Sequence, residues 1–227
     1  FAPHPDDAEL FAGGLLASMA RRGYRVGIVD LTRGERASNG TPEQRADEAA
    51  SAAQILGLVH RENLGLPDAA LALWSDADGV LPESPTGQIV QVIRRLRPEL
   101  VLAPPRVDRH PDHEVAGELV RRAVFLAGLR RVADRDGLLA HRPTQTLVYG
   151  MRHELPLSFV VDVSDVAEVK RAAILAHASQ VGASGQDGAK TLVGGPLALQ
   201  AIDARDRYHG AMIGVTHGEP YLLDGAL

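Results

Sequence analysis

Apolar positions recur along this chain in two alternating rhythms. Residues 8–22 carry Leu10, Phe11, Leu15 and Met19 at helical spacing, and residues 24–31 (YRVGIVDL) form a β-branched apolar run of strand length. Residues 32–40 make a Gly- and Ser-bearing loop. Thr41 as N-cap, Pro42 at the first helical position and Gln44 completing a capping box predict a helix that stops at Gly57. Residues 66–85 are mixed and turn-rich, an irregular excursion. GQIVQVIRRLR (87–97) predicts a helix ended by Pro98, residues 100–103 a short buried strand, and residues 112–128 another helix. Strands are predicted near 146–149 and 159–163. A helix follows from the candidate N-cap Ser164 to about Ser179, then a Gly-rich loop over 182–195, a helix over about 196–209 and an apolar tail over 211–223. Strands alternating with helices predict a three-layer α/β fold on a parallel sheet, with no linker dividing residues 1–227 into more than one domain.

Such sheets bind ligands beyond the carboxyl ends of their strands, near a topological switch point. Two strand-to-helix loops carry the same tripeptide: His4-Pro5-Asp6-Asp7, between an N-terminal strand stub and the first helix, and Arg109-His110-Pro111-Asp112-His113, after strand 100–103. From composition alone two such occurrences have a probability on the order of one in a thousand. Proline between His and Asp stiffens each loop. Each copy adds a further metal-competent residue, Asp7 or His113, and imidazoles gathered with carboxylates suit a zinc-type site. A catalytic zinc keeps three protein ligands and an open position, for which His4, Asp7, His110 and His113 compete along with Asp6. One carboxylate can ligate while another takes a proton from water, a division of labour suited to metal-assisted hydrolysis of an amide or ester. The competing reading is that Asp6, Asp7 and Asp112 merely cap helices.

Bulk properties narrow the partners. A net charge of −5 argues against nucleic-acid binding, and the absence of cysteine excludes a disulfide framework, a cysteine zinc knuckle and a thiol nucleophile. No apolar run approaches the ~20 residues of a membrane span, and no basic segment followed by an apolar one marks a signal peptide. These features are compatible with a cytoplasmic protein that does not engage membranes. The sequence opens on Phe1-Ala2-Pro3 without an initiator Met, and the start of the stub strand is expected to precede it.

The chain resembles the zinc-dependent N-acetylglucosaminyl deacetylases of the PIG-L/LmbE-like group. The resemblance rests on His4-Pro5-Asp6-Asp7-Ala8-Glu9 with Gly13-Gly14, Leu31-Thr32-Arg33-Gly34-Glu35, Arg45 and Glu48 with Ala49, Ala52 and Ala53, and Leu56-Gly57. It continues through Asn63-Leu64-Gly65-Leu66-Pro67-Asp68, Arg109-His110-Pro111-Asp112-His113, Ser179-Gln180, Gly210 and Ile213-Gly214-Val215, and so covers nearly the whole chain. Asn-Leu-Gly-Leu-Pro-Asp with Arg-His-Pro-Asp-His further resembles the bacillithiol-pathway subgroup, which deacetylates N-acetylglucosaminyl-malate. The resemblance implies a Rossmann-like three-layer sandwich with a mostly parallel central sheet. It implies His4, Asp7 and His113 as zinc ligands, Asp6 as general base and His110 as the group that stabilises the oxyanion, with either Asp6, the favoured one, or His110 protonating the leaving amine. It also implies a homo-oligomer, with a hexamer as the candidate assembly. A His/His/Asp site also suits iron, manganese or cobalt.

A malate aglycone carries two carboxylates, which arginine forks match. Arg109 is the first candidate to bind it, Arg45 the second and Arg33 the third. Glu35 is a candidate for sugar hydroxyls or for a salt bridge to a neighbouring arginine. Arg36 and Arg106 read as solvated loop charges, and His60, His141 and His153 as surface residues. His177 divides evenly between a substrate-side and a structural role. Some relatives use a mobile active-site tyrosine, for which Tyr149 and Tyr208 are candidates. Gly13-Gly14 lacks dinucleotide-fingerprint spacing and reads as close packing of the first helix or close approach to the metal loop. Alternative functions with the same site are a GlcNAc or chitooligosaccharide deacetylase and an amidase of thiol conjugates. A non-catalytic metal- or sugar-binding module is more remote, since it would not need Asp6.

Overall fold

The alternation read from the sequence is present. A computed structural model describes residues 1–73, 82–132, 137–151, 156–182, 191 and 194–224. The chain runs α1 (Asp7–Arg21), β1 (Gly27–Thr32), α2 (Pro42–Leu56), β2 (His60–Leu66), α3 (Pro85–Leu96), β3 (Leu100–Ala103), α4 (Pro111–Ala127), β4 (Gln145–Tyr149) and β5 (Phe159–Asp162). A 3-10 turn (Ser164–Val166), α5 (Ala167–Ala176), α6 (Ala178–Val181), α7 (Pro196–Met212) and β6 (Gly218–Leu223) complete it.

β1 pairs with β2 and β3 with β4, both in parallel, while β6 lies antiparallel between β4 and β5. The residues before α1 join the two halves. Ala2 bridges Asp30 in parallel, its N–H donating to Val29 O at 2.9 Å, and the Phe1 nitrogen donates to Leu102 O at 2.9 Å. The spatial order is therefore β2-β1-stub-β3-β4-β6-β5, and within the ladders only β6 runs against its neighbours. The chain leaves the stub toward β1 on one side and later returns to β3 on the other. That reversal is a topological switch point, and residues 4–7 occupy its carboxyl end.

Helices cover both faces, as a half-apolar helix requires. Ile89, Val90 and Ile93 of α3 and Leu119, Val120 and Ala123 of α4 pack with Leu31, Leu66 and Val101 on one side. Ala8, Leu16 and Ala17 of α1, Ala52 and Leu56 of α2 and Ala173 of α5 pack with Ala2 and Ile28 on the other. Burying a side chain such as Leu119 or Ile93 contributes about 1.5–3 kcal/mol. Gly14 lets α1 approach closely: a Cβ there would lie 2.8 Å from Val163 Cβ and 2.9 Å from Glu219 Oε1, so the pair serves helix packing.

Several boundaries differ from the sequence reading. Residues 60–66 form β2, which the pattern does not reveal because this strand has one neighbour and carries Arg61, Glu62 and Asn63. The apolar tail is the end of α7 followed by β6, where Glu219 and Pro220 interrupt the strand pattern. The single helix expected over 164–179 is broken at His177 (φ −81°, ψ 54°), whose fully buried ring turns inward toward Glu9. Ser164 does not cap α5; its Oγ exchanges bonds with the backbone of His217. Thr41 Oγ1 accepts from Gln44 N–H at 3.2 Å, but the Gln44 side chain turns to Glu48, so the capping box is half formed. Gly57 ends α2 in the left-handed conformation (φ 74°). Most of the Gly-rich loop, part of the 66–85 excursion and His153 lie outside the described residues.

Candidate active site

The two His-Pro-Asp loops converge although more than a hundred residues separate them. His4 Nδ1 lies 3.1 Å from Asp7 Oδ2, and the same oxygen lies 3.4 Å from His113 Nε2. The His110 ring stacks on His113 at 4.5 Å and meets the edge of His4 at 4.9 Å. One ring nitrogen from each of these three histidines falls within a span of 4.8 Å. His110 is the most open of them. It caps α4, its Nδ1 accepting from Asp112 N–H at 3.3 Å. Burial and the neighbouring His113 and His4 lower its pKa, favouring the neutral ring.

None of the three aspartates that could cap helices spends its carboxylate that way. Asp6 occupies the N-cap position of α1 without a side-chain bond to the helix, at φ 128°, ψ −30°. A non-glycine residue there stores strain of order 1–3 kcal/mol. Arg45 straps the loop: Nη2 donates to Pro5 O at 2.7 Å and lies 3.6 Å from Asp6 Oδ1, and Nη1 donates to Gly34 O at 3.2 Å. Burial pushes the Asp6 carboxyl up to about 6, against the pull of Arg45. Asp7 faces His4 and His113, and Asp112 reaches the N–H groups of Ala69 and Leu71.

The charge inventory fits a cation. Asp6, Asp7, Asp68 and Asp112 are all buried around His4. Although burial lowers the pKa of His4, hydrogen bonds to Asp112, Asp68 and Asp7 raise it to about 12. Asp7 and Asp112 are held below the ordinary carboxylate range, overcoming desolvation, by His113 and His4 for the first and chiefly by His4 for the second. A pocket that holds a proton this firmly between carboxylates is short of positive charge, and imidazole nitrogens with a carboxylate oxygen are the donor set of a zinc-type ion.

The remaining site expectations separate. Arg109 is exposed, has no ion pair among the described residues, and lines a mainly apolar cleft of about 750 Å³ with Leu10, Phe11, Met151 and Ile202. Arg33 is also exposed and borders a different hollow of about 230 Å³ beside Pro5 and Asn63. Arg45 is buried with its fork turned into the protein, which is a different setting from an open carboxylate receptor. Glu35 accepts Asp68 N–H at 2.9 Å rather than pairing with an arginine. Tyr149 is buried with its hydroxyl donating to Phe1 O at 2.9 Å, which ties it to the stub; Tyr208 is exposed and lines the larger cleft.

Three features escape sequence reasoning. His177 Nε2 lies 3.1 Å from Glu9 Oε1, and Arg61 from β2 joins Glu9 at 2.5 Å and Asp30 through two bonds at 2.9 and 3.1 Å. Asp108 Oδ1 accepts His110 N–H at 2.9 Å and stands 3.3 Å from His113 Nδ1. Asp68 Oδ1 lies 3.1 Å from His4 Nε2. Sequence reasoning singles out Asp68 only through its place in Asn-Leu-Gly-Leu-Pro-Asp.

An α/β protein with a buried His/Asp cluster at a sheet switch point is suited to hydrolysis. Residues 1–124 match the PIG-L family model, GlcNAc-PI de-N-acetylase. The chain belongs to that family, and with it to the deacetylases of N-acetylglucosamine-containing substrates. It is 31% identical over 188 residues to the diacetylchitobiose deacetylase of Thermococcus kodakarensis, covering 78% of this chain and 67% of that protein. It is 27% identical over 191 residues to the "Probable N-acetyl-alpha-D-glucosaminyl L-malate deacetylase 2" of Bacillus subtilis, covering 78% and 80%. Among solved structures, a conserved protein from Thermus thermophilus matches with a TM-score of 0.85 at 41% identity, over 100% of this chain and 93% of that one. Among the described residues no helix is long and apolar enough to cross a membrane.

Proposed function

We propose that this deacetylase hydrolyses the acetamide of an N-acetylglucosaminide with an anionic aglycone, N-acetylglucosaminyl-malate being the substrate of first choice, and releases acetate and a free amine. The observation that carries the reading is the convergence of His4 Nδ1, Asp7 Oδ2 and His113 Nε2 beside a strained, buried Asp6 that caps nothing. A divalent ion, zinc by preference, held by His4, Asp7 and His113 would supply Lewis acidity toward the acetamide and the attacking water. Asp6 takes the proton of that water on a carboxylate oxygen and hands it to the departing amine. Because Nδ1 of His110 accepts from Asp112 N–H, the neutral ring carries its proton on Nε2, from which it donates to the carbonyl oxygen as negative charge develops there.

Arg109, next to His110 and without an ion pair among the described residues, supports the anionic aglycone. A second reading, a neutral chitooligosaccharide substrate, is supported by the match to diacetylchitobiose deacetylase. Deacetylation of N-acetylglucosaminyl-malate, GlcNAc and diacetylchitobiose, compared in wild type and Arg109→Ala, separates the two. The first reading expects the malate glycoside to be preferred and its KM to rise about 10- to 100-fold in the variant, the worth of a charged hydrogen bond, with little change for GlcNAc. Equal effects on all three substrates, or preference for chitobiose, would establish the second.

A further inference from the structure

We propose that Asp68 is a positioning residue that aims the first metal-binding imidazole: its carboxylate holds Nε2 of His4, so that Nδ1 is the nitrogen presented to Asp7 and His113. The two nitrogens of an imidazole point away from each other, so anchoring one directs the other. Asp68 Oδ1 lies 3.1 Å from His4 Nε2, while His4 Nδ1 lies 3.1 Å from Asp7 Oδ2 on the opposite side of the ring. Metal-bound histidines generally need such an outer partner to set tautomer and orientation. His4 is buried, so water cannot easily supply that partner.

Asp68 is itself built in. Its Oδ2 accepts Arg36 N–H at 2.8 Å, and its own N–H donates to Glu35 Oε1 at 2.9 Å. The next residue, Ala69, sits in the left-handed region (φ 57°), where alanine needs outside support. Asp112 provides it, accepting Ala69 N–H at 2.6 Å and Leu71 N–H at 3.2 Å, while its Oδ2 stands 3.5 Å from His4 Nε2. The aspartate of the second His-Pro-Asp thus braces the loop that orients the histidine of the first. Glu35 acts through Asp68, and Asp68 acts on His4; Asp112 braces the same loop and also stands beside the imidazole itself.

The inference rests on the metal site proposed above, and its test separates the two. Zinc affinity is measured by competition with a chromophoric chelator for wild type, His4→Ala, Asp68→Ala and the isosteric Asp68→Asn, with thermal unfolding of each metal-free protein alongside. Visible absorption of the cobalt-loaded forms reports ligand geometry. The expected result is near-complete loss of zinc in His4→Ala, affinity about 10- to 100-fold weaker in Asp68→Ala and a smaller loss in Asp68→Asn, with an altered cobalt spectrum in both Asp68 variants. Unchanged affinity and cobalt spectrum in the Asp68 variants, with His4→Ala still losing zinc, would overturn the role of Asp68 alone. So would a fall only in metal-free stability, since that marks a loop brace without effect on His4. Undiminished zinc in His4→Ala would overturn the metal site itself.

Discussion

A carboxylate at a helix start ordinarily accepts the free N–H groups of the first turn, and Asp6 declines that bond in favour of a strained backbone. The strain persists because Arg45 holds the preceding carbonyl, Pro5 O, and approaches the Asp6 carboxylate from the same side. Gly34 makes room for it: a Cβ there would lie within van der Waals overlap of the Arg45 guanidinium, and φ is +64°. Arg45→Gln is therefore expected to lower kcat about 10²-fold through displacement of Asp6, with KM nearly unchanged; steady-state kinetics checks this. A rise in KM confined to the anionic glycoside would instead make Arg45 a substrate ligand, as its sequence position first suggests. At this scale the sequence is legible where chemistry is local. His4, Asp6 and Asp7 are adjacent in the chain, and so are His110 and His113. Asp68 is hidden because it stands 64 positions along the chain from His4. Arg45 is misleading because an arginine beside a catalytic loop looks the same whether its fork faces the substrate or the backbone.

Among the elements, the least expected tie joins the middle of α1 to β6. Glu219 of β6 is fully buried and accepts Gly14 N–H, Leu15 N–H and Tyr221 O–H, each at 2.8 Å, while Lys170 of α5 stands 2.8 Å away. Desolvation alone would raise its pKa, but Lys170, together with Arg205 and the Tyr221 hydroxyl, outweighs it and the folded value lies below the ordinary 4.5. A depressed carboxylate contributes stability that is present above its unfolded pKa and drains away as pH falls through the folded one. Stability from urea unfolding is thus expected to fall as pH drops below about 4.5, and Glu219→Gln to be about 3 kcal/mol less stable at pH 7 with a flatter acid limb. An unaltered acid limb in that variant would place the titrating group elsewhere. No pattern in the tail announces this strand, because a buried Glu and a Pro occupy positions where alternation would place apolar residues. β2 is missed for a related reason: its Arg61 spends itself on buried Glu9 and Asp30, so a polar strand can serve the interior. Helices α2, α3 and α4 are legible because Pro at the first turn and an apolar stripe coincide in each.

For the whole molecule, the sheet order matters more than any single element. The stub lies between β1 and β3, so the loop that leaves it and the loop that leaves β3 open on the same edge, and the two His-Pro-Asp copies become halves of one site. The halves are not equivalent. In the proposed reading, His4 and Asp7 of the first would hold the ion with Asp6 as base; in the second, His113 would complete the ligands and His110 would serve the reacting carbonyl, while Asp112 braces the loop of Asp68. Binding and proton transfer are thus proposed to fall to different residues. The most direct test of that division measures bound metal and deacetylase turnover side by side in wild type, Asp6→Asn and His113→Ala. Full metal content with turnover about 10²- to 10⁴-fold lower is expected in Asp6→Asn, and loss of both metal and activity in His113→Ala. Wild-type turnover in Asp6→Asn, or undiminished metal in His113→Ala, would contradict that division.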